Sequence, residues 1–392
     1  MKRKSLCMLL LTAVLTVVSG CTITTDIQDI EKMNYASAVG VDYKDGKYYG
    51  YIQFIDFQSI AKKEGGGQKQ PARIWVGEGV GNSFEESFFD LYRTAQERIY
   101  WGHVTAVLIT ESAFKQGFES ISDSLSRYYE FRLTPWVFGT RESIKDIFSS
   151  AGFFGESPLS TILHAPEGTY TQTSLIKSIK LHRLIAQVYE PGYTSCIPVL
   201  ALNKKQWKEK NKPEPKLMID GAIFLKNKSF RSYISLKKLN GLRWIQHGSE
   251  RAGIPVPNKA APVAQIVVDN PKTKLKFVNR GDGPQYKIKM KATAYIVNRS
   301  SNNLSELQQL TDKTKEAIEK EIRETFQAGR EKQTDVLNLE HNLYRNHYRE
   351  WKALSPAETK LLAEDVIREI KIDLNITHSS SKKNARIREV IH

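Results

Sequence analysis

The chain has 392 residues and a formal net charge of +15 at pH 7, and 40% of its residues are hydrophobic. This composition is typical of a globular protein and excludes a chain that is mainly disordered, while the length predicts two or three domains. The basic balance favours anionic partners such as a membrane surface. Because the basic residues are scattered and form no nucleic-acid-binding motif, we expect no nucleic acid partner.

The first 20 residues have the pattern of a lipoprotein signal peptide. Basic Lys2–Lys4 precedes the 13-residue apolar run Leu6–Val18, which is shorter than the roughly 20 residues that a spanning helix needs. Small residues then lead directly to Cys21, as in a lipobox. The sequence therefore predicts a leader over residues 1–20 and lipidation of Cys21. The alternative is an ordinary signal peptide that happens to contain a cysteine.

A lipid on Cys21 would hold the mature chain at a membrane surface outside the cytoplasm, without a transmembrane helix. One short acyl chain binds a bilayer with an association constant of only about 10⁴ M⁻¹, so the two chains of a diacylglyceryl group predict slow release. Anionic lipid headgroups are the natural counterpart of a basic chain in this position. The polar residues 22–32 would form a short tether.

The chain contains three cysteines, at positions 7, 21 and 196. Cys7 would leave with the leader and Cys21 would become a thioether, so the mature chain could form no internal disulfide and would depend on its cores. Cys196 opens an apolar run and is predicted to be a buried structural residue, with a reactive thiol as the alternative.

Alternating strands and helices predict an N-terminal α/β domain over residues 21–203. Asp45-Gly46 is a hairpin turn signal between the first two strands, and Ser83 with Glu86 forms a capping box before a helix. The predicted strands are 35–41, 49–57, 72–76, 103–110, 134–139 and 196–202, and the predicted helices are 84–95, 118–128, 141–149 and 173–189.

Two breaks divide the rest of the chain. The charged segment 203–216 has two prolines and few apolar residues, which predicts a domain boundary, and the proline-rich segment 255–262 predicts a second one. We therefore expect a small β-rich middle domain over residues 217–259 and a C-terminal α+β domain over residues 263–392. The predicted strands are 218–225, 230–236, 264–268, 275–278, 286–296 and 370–376, and the predicted helices are 304–329 and 335–351.

The glycine-rich run Gly77–Gly81 lies between a strand and a helix, where a phosphate-binding loop would lie. It lacks the full dinucleotide-binding spacing, and no Gly-Lys-Ser/Thr follows, so a tight strand-to-helix turn is preferred. The eight histidines show no zinc-protease spacing, and His103 is predicted to be structural at the start of a strand. The sequence predicts no metal and no cofactor.

The remaining residues show no catalytic constellation. The sequence has no Gly-x-Ser-x-Gly elbow, and no carboxylate pair is marked by its neighbours as a glycosidase pair. Asp335 and Glu340 are predicted to be solvated or capping groups. Tyr344, Tyr348 and Trp351 recur at helical spacing and are predicted to be core rather than a binding surface. The residues alone argue for an anchored, noncatalytic protein.

Several landmarks together resemble the Ger(x)C family of spore germination lipoproteins, the C subunits of germinant receptors. After the lipobox cysteine they are, in order, Ala38–Asp42, Gly102-His103, Gly221–Leu225, Gln333–Leu337 and Tyr348–Trp351. Their order and spacing cover nearly the whole chain. The chain departs from the family pattern directly after the cysteine. Members commonly carry tryptophan at that position, and this chain has Thr22.

This resemblance implies an α+β fold of three mixed α/β domains, each a β-sheet flanked by helices. It implies anchoring to the outer face of the inner membrane of a bacterial spore. It also implies assembly with a membrane-embedded A subunit and a transporter-like B subunit, in a complex that responds to small nutrients and triggers germination. The family supplies no catalytic residue, so Cys21 is the position with a defined chemical role, and no enzyme activity is expected.

Two other functions are alternatives at this point. A substrate-binding lipoprotein of an importer would also carry a lipobox, but it usually has two similar lobes, whereas the predicted units here are unequal. A cell-wall hydrolase would need a catalytic carboxylate, and the sequence marks none.

Overall fold

The computed structural model describes residues 33–56, 73–128, 130–256, 264–279, 283–299, 307–354 and 360–377. The predicted leader, Cys21 and the predicted tether over residues 22–32 lie outside the described residues. Within the described ranges, no helix combines the length and the apolar character needed to cross a bilayer.

A large mixed sheet and a smaller sheet, both flanked by helices, confirm the predicted α+β class. The strands are β1 Met33–Lys44, β2 Lys47–Ile55, β3 Ile74–Gly81, β4 Arg98–Tyr100, β5 Ala106–Thr110, β6 Trp136–Thr140, β7 Ile179–Lys180, β8 Thr194–Asn203, β9 Lys208–Glu209, β10 Lys212–Pro213, β11 Lys216–Lys226, β12 Ser229–Ser235, β13 Arg251–Val256, β14 Ala264–Asn279, β15 Pro284–Arg299 and β16 Ile367–Thr377. The helices are α1 Phe84–Tyr92, α2 Glu111–Gln116, α3 Phe118–Arg127, α4 Ile144–Phe148, α5 Pro166–Gln172, α6 Leu181–Tyr189, α7 Leu242–Ile245, α8 Leu307–Glu331, α9 Leu339–Asn346 and α10 Tyr348–Ala353.

The large sheet has the strand order β12-β11-β8-β6-β5-β1-β2-β3, with β4 beside β1 and β7 beside β6. Its central strands β8, β6, β5 and β1 are parallel, and antiparallel strands extend it on both sides. Parallel strands covered on both faces need continuous apolar runs. Accordingly, Ala38 and Leu108 pack into the core on one face, while Val39 and Val107 pack into the core on the other.

The smaller sheet has the order β13-β14-β15-β16, with β16 parallel to β15. The alternating apolar residues of β15, among them Ile288 and Met290, share a core cluster with Ile318 and Ile322 of α8. Phe224 of the large sheet belongs to the same cluster. One apolar core therefore joins the two sheets.

The strand pairing divides the chain differently from the predicted middle domain, 217–259. β11 pairs with β8 in the large sheet from Lys216 opposite Asn203 onward, and β12 pairs with β11. β13, by contrast, pairs with β14 in the smaller sheet. The polar segment 203–216 contains the short hairpin β9–β10 and connects two neighbouring strands. Its lysines from Lys204 to Lys212 are exposed and thus belong to a connection within one sheet, whereas Lys216 is buried at the start of β11.

Two predicted helices are wrong in part. Over 173–189 only α6 is helical, because Ser174 is tied to β13: its N–H donates to the Arg251 carbonyl, and its hydroxyl accepts the N–H groups of Glu250 and Arg251. Over 335–351 the helix begins later than predicted and is divided into α9 and α10. In the first segment, bonds to a distant strand replace helical ones.

Candidate functional site

The glycine-rich run Gly77–Gly81 belongs to β3 and packs directly against α1. A Cβ atom on Gly79 would lie 2.1 Å from the carbonyl oxygen of Ser87, so only glycine permits this approach. The capping box is confirmed, since the Ser83 hydroxyl accepts the Glu86 N–H at 3.2 Å. The run is a strand in close contact with a helix, where the sequence predicted a tight turn.

Polar side chains close the carboxyl ends of β1 and β5, at the edge where α/β sheets commonly bind ligands. The Asp42 carboxylate accepts hydrogen bonds from Thr110 at 2.6 Å and Ser112 at 2.8 Å, and Lys44 Nζ lies 2.5 Å from its other oxygen. Burial raises the pKa of Asp42, but these donors outweigh burial and lower the pKa overall. The Thr110 hydroxyl also caps α2. The partners of the Asp42 carboxylate are thus groups of the chain itself, and together they stabilise the strand ends.

A second polar cluster joins the large sheet to the first turn of α9 and the segment that precedes it. We call Thr194, Lys226, Asp335, Asn338 and Glu340 the sheet junction. The Lys226 Nζ atom, at the end of β11, lies 2.5 Å from Glu340 Oε2. Both side chains are buried, with 3% and 11% of their areas exposed. Because both charges have lost their hydration, removing either partner would leave the other buried without compensation, which is strongly destabilising.

Asn338 and Asp335 complete the sheet junction through backbone groups. Asn338, at a left-handed φ of 55°, accepts the Thr194 N–H at 2.7 Å and donates to the Thr194 carbonyl at 3.1 Å. Asp335 accepts the Glu340 N–H at 2.8 Å, and burial raises the pKa of its carboxyl group. The prediction of capping is therefore confirmed for Asp335. For Glu340 the prediction of a solvated or capping group is wrong, because tertiary packing buries it against Lys226.

The aromatic residues of α9 and α10 cover the sheet junction. Tyr344, Tyr348 and Trp351 have ring centroids 5.0–6.0 Å apart, and Trp351 Nε1 donates to Glu340 Oε1 at 3.1 Å. Since Tyr348 is 55% exposed, the cluster reaches the surface and is only partly the predicted core.

Cys196 and His103 have the surroundings of structural residues and not those of reactive groups. Cys196 is a partly buried residue of β8, and desolvation raises the pKa of its thiol to about 12, which disfavours the reactive thiolate. His103 stacks on Tyr35 with a centroid distance of 4.9 Å. His103 precedes β5, whereas the sequence predicted that it would begin this strand.

Sequence reasoning missed a buried polar network around His164. Its Nε2 lies 2.9 Å from Gln53 Oε1, and its Nδ1 lies 2.6 Å from Thr105 Oγ1. Gln53 Nε2 donates to the Phe148 carbonyl, and Ser37 Oγ donates to Gln53 Oε1. Because Gln53 Oε1 is an acceptor in this network, a neutral imidazole with its proton on Nε2 fits it.

Two family models match the chain on either side of the segment 203–216. The model of the spore germination protein N-terminal domain matches residues 26–202, and that of the spore germination B3/GerAC-like C-terminal domain matches residues 219–380. The chain belongs to the GerAC family of spore germination proteins. The resemblance drawn from the sequence landmarks is thereby confirmed.

Two proteins of Bacillus subtilis are similar in sequence to nearly all or about half of the chain. It is similar to spore germination protein KC of Bacillus subtilis (strain 168), with 21% identity over 403 residues and 98% of both chains covered. It is also 26% identical over 213 residues to the putative spore germination protein YfkR of the same organism, covering 54% of this chain and 53% of YfkR. The crystal structure of the GerBC protein shares the fold, with a TM-score of 0.53 and 16% identity over 90% of this chain and 100% of its own.

The GerAC-family landmarks lie mostly at packing positions. Gln333–Leu337 and Tyr348–Trp351 contribute Asp335 and Trp351 to the sheet junction and its aromatic cover. Gly221 lies at a register shift in β11, where a Cβ atom would be 2.4 Å from the carbonyl oxygen of Ile234. Of these landmarks, Gly221 pairs across the two matched regions, opposite Val199 of β8, whereas Asp335 and Trp351 both bond to Glu340 within the second region. The predicted lipidation site lies outside the described residues.

Proposed function

We propose that this protein is a lipid-anchored, noncatalytic subunit of a spore nutrient germinant receptor. It is held by Cys21 on the outer face of the spore inner membrane and triggers germination through contact with the membrane A and B subunits. The observation that carries the proposal is the pair of germination-family matches over residues 26–202 and 219–380. A lipobox directly before the first matched region supports the anchor.

Replacement of the lipobox cysteine tests the anchor. We expect Cys21→Ala to leave the chain unprocessed or unanchored, because alanine has no thiol to acylate. The lipid-modified form should disappear from intact-mass spectra, and nutrient-triggered germination should slow markedly. Cys196→Ala is the matched control and should keep both lipid and germination, since that thiol lies within β8. A Cys21→Ala chain that fractionates with membranes and supports normal germination would contradict the proposal.

Deletion of the membrane subunits tests the receptor assignment. If the chain works inside an obligate complex, its steady-state level in spores should fall when the A and B subunits are deleted, because unassembled subunits are degraded. Quantitative mass spectrometry of spore membranes measures this level, with an unrelated spore lipoprotein as the reference. An unchanged level of this chain would speak against an obligate complex.

A further inference from the structure

Three exposed aromatic side chains on α1 and at the end of α3 form one surface. Phe89, Tyr92 and Tyr128 are exposed by 67%, 38% and 39% of their areas. We call these three residues the tether-side aromatic surface. Side chains of this size are expensive to leave in water, and such clusters on a protein surface commonly mark a contact site.

A buried tryptophan supports this surface from below. The Trp101 ring lies 6.4 Å from Tyr92 and 6.0 Å from Tyr128, centroid to centroid, and packs edge-on against Phe88 at 5.2 Å. Phe89 contacts Tyr92 at 5.8 Å. The exposed rings therefore stand on a packed base that fixes their positions.

Hydrogen bonds and strand pairing place the surface next to the first residues of β1. Trp101 directly follows β4, and β4 runs parallel to β1 with Met33 opposite Arg98. On the other side of the surface, Asn34 Nδ2 donates to the Ala95 carbonyl at 3.1 Å, just beyond α1. At its Tyr92 end, the tether-side aromatic surface thus borders the point where the predicted tether meets the folded body. Phe89 lies farther along the sheet, since its neighbour Asp90 accepts the Val80 N–H.

The length of the tether limits how far this surface can lie from the membrane. Cys21 precedes Met33 by 12 residues, which span at most about 40 Å when fully extended. We propose that the tether-side aromatic surface rests in the interfacial region of the bilayer that holds the lipid on Cys21. This inference rests on the proposed function, because it takes the anchor as given.

The chemistry of the surface suits the bilayer interface. Tyrosine rings, apolar with a polar tip, are enriched at the headgroup level of membrane proteins. The neighbouring arginines Arg93 and Arg127 lie in ion pairs with Asp90 and Asp123. Their charges are offset locally, so the contact depends on the rings more than on anionic lipid. Because two acyl chains already give slow release, the surface would orient the body rather than anchor it.

A second exposed aromatic group provides an internal control. Phe153, Phe154 and Trp207 lie beyond the carboxyl end of β8, and the Phe153 and Trp207 rings are 4.8 Å apart. Phe154 is 89% exposed. β1 has 12 residues, or about 40 Å of strand, and separates the two edges of the sheet. If the tether-side aromatic surface faces the bilayer, Phe154 faces away from it.

Environment-sensitive labels on the full lipidated chain test this orientation. Phe89→Cys and Phe154→Cys would each be labelled with a nitrobenzoxadiazole dye and incorporated into vesicles of phosphatidylglycerol and phosphatidylethanolamine. The chain without either substitution measures the background labelling of Cys196. This background should be low, because the raised pKa of that thiol disfavours the reactive thiolate. We expect the dye at position 89 to shift its emission to the blue and to be quenched by nitroxide-labelled lipid, and the dye at position 154 to do neither.

A further variant separates the contribution of the rings from simple proximity. With the dye on Arg93→Cys, the additional change Phe89→Ser should weaken the blue shift and the quenching, because it removes the most exposed of the three rings. An equal signal with and without Phe89 would overturn the role of the rings. A dye at position 89 that stays in an aqueous environment would overturn the orientation.

Flotation of the vesicles distinguishes this inference from the anchor on which it rests. A chain that does not float with vesicles overturns the anchor. A chain that floats while the dye at position 89 remains aqueous overturns the tether-side surface alone. If that dye shifts only after the membrane subunits are reconstituted in the same vesicles, the surface binds protein, and the bilayer proposal is overturned.

Discussion

Replacing Lys226 with methionine should lower the free energy of unfolding by about 3–5 kcal/mol, because the change leaves the Glu340 carboxylate buried without its cation. Lys226 and Glu340 are almost fully enclosed, and their charged atoms lie 2.5 Å apart. Trp351 Nε1 donates to the same carboxylate but supplies no charge. The loss should therefore greatly exceed that of an ordinary surface ion pair.

Urea unfolding of the chain expressed without residues 1–21 measures this effect. The matched control is Lys287→Met, which removes a pair with the same 2.5 Å separation from Glu369 but with 35% and 48% of the side-chain areas exposed. Exposed pairs contribute about 0–1 kcal/mol. The double change Lys226→Met with Glu340→Leu should recover much of the loss, because no unpaired charge remains. A Lys226→Met loss as small as that of Lys287→Met would contradict the role given to the sheet junction.

The sequence predicted those elements whose signal is local. The alternation over 286–296 and 370–376 predicted β15 and β16, and Ser83 with Glu86 predicted the start of α1. The Asp45-Gly46 turn and the apolar runs on either side of it predicted the first hairpin, β1–β2. In each case the residues that determine the structure lie within a few positions of one another.

The sheet junction and the division into sheets could not be predicted in the same way. Lys226 follows the apolar run Gly221–Leu225 and precedes a turn, as a solvated lysine also would, and its partner Glu340 is 114 residues away. The polar segment 203–216 has the composition of a linker, and only the pairing of β8 with β11 shows that it connects neighbouring strands. Long-range pairing decides these features, and composition does not encode it.

His164 should make the folded protein sensitive to acid. Burial lowers the pKa of its imidazole from 6.5 to about 3. Between these two values the unfolded chain binds a proton that the folded chain does not, so stability falls as the pH falls from about 6.5 towards 3. Below the folded pKa both states are protonated and this loss stops growing. At about 1.4 kcal/mol per pKa unit, the full loss is about 5 kcal/mol.

The change His164→Gln removes the imidazole that binds a proton on unfolding, and it supplies an amide that can hydrogen-bond within the network. Urea unfolding at a series of pH values should show the wild-type chain losing about 1.4 kcal/mol per pH unit more than His164→Gln below pH 6. Reduced stability of His164→Gln at neutral pH does not affect this slope, which reports only protons bound on unfolding. His182→Gln, at an exposed histidine of α6, should keep the wild-type slope. If His164→Gln and the wild type lose stability in parallel, protons bind elsewhere on acid unfolding and the buried imidazole is not the cause.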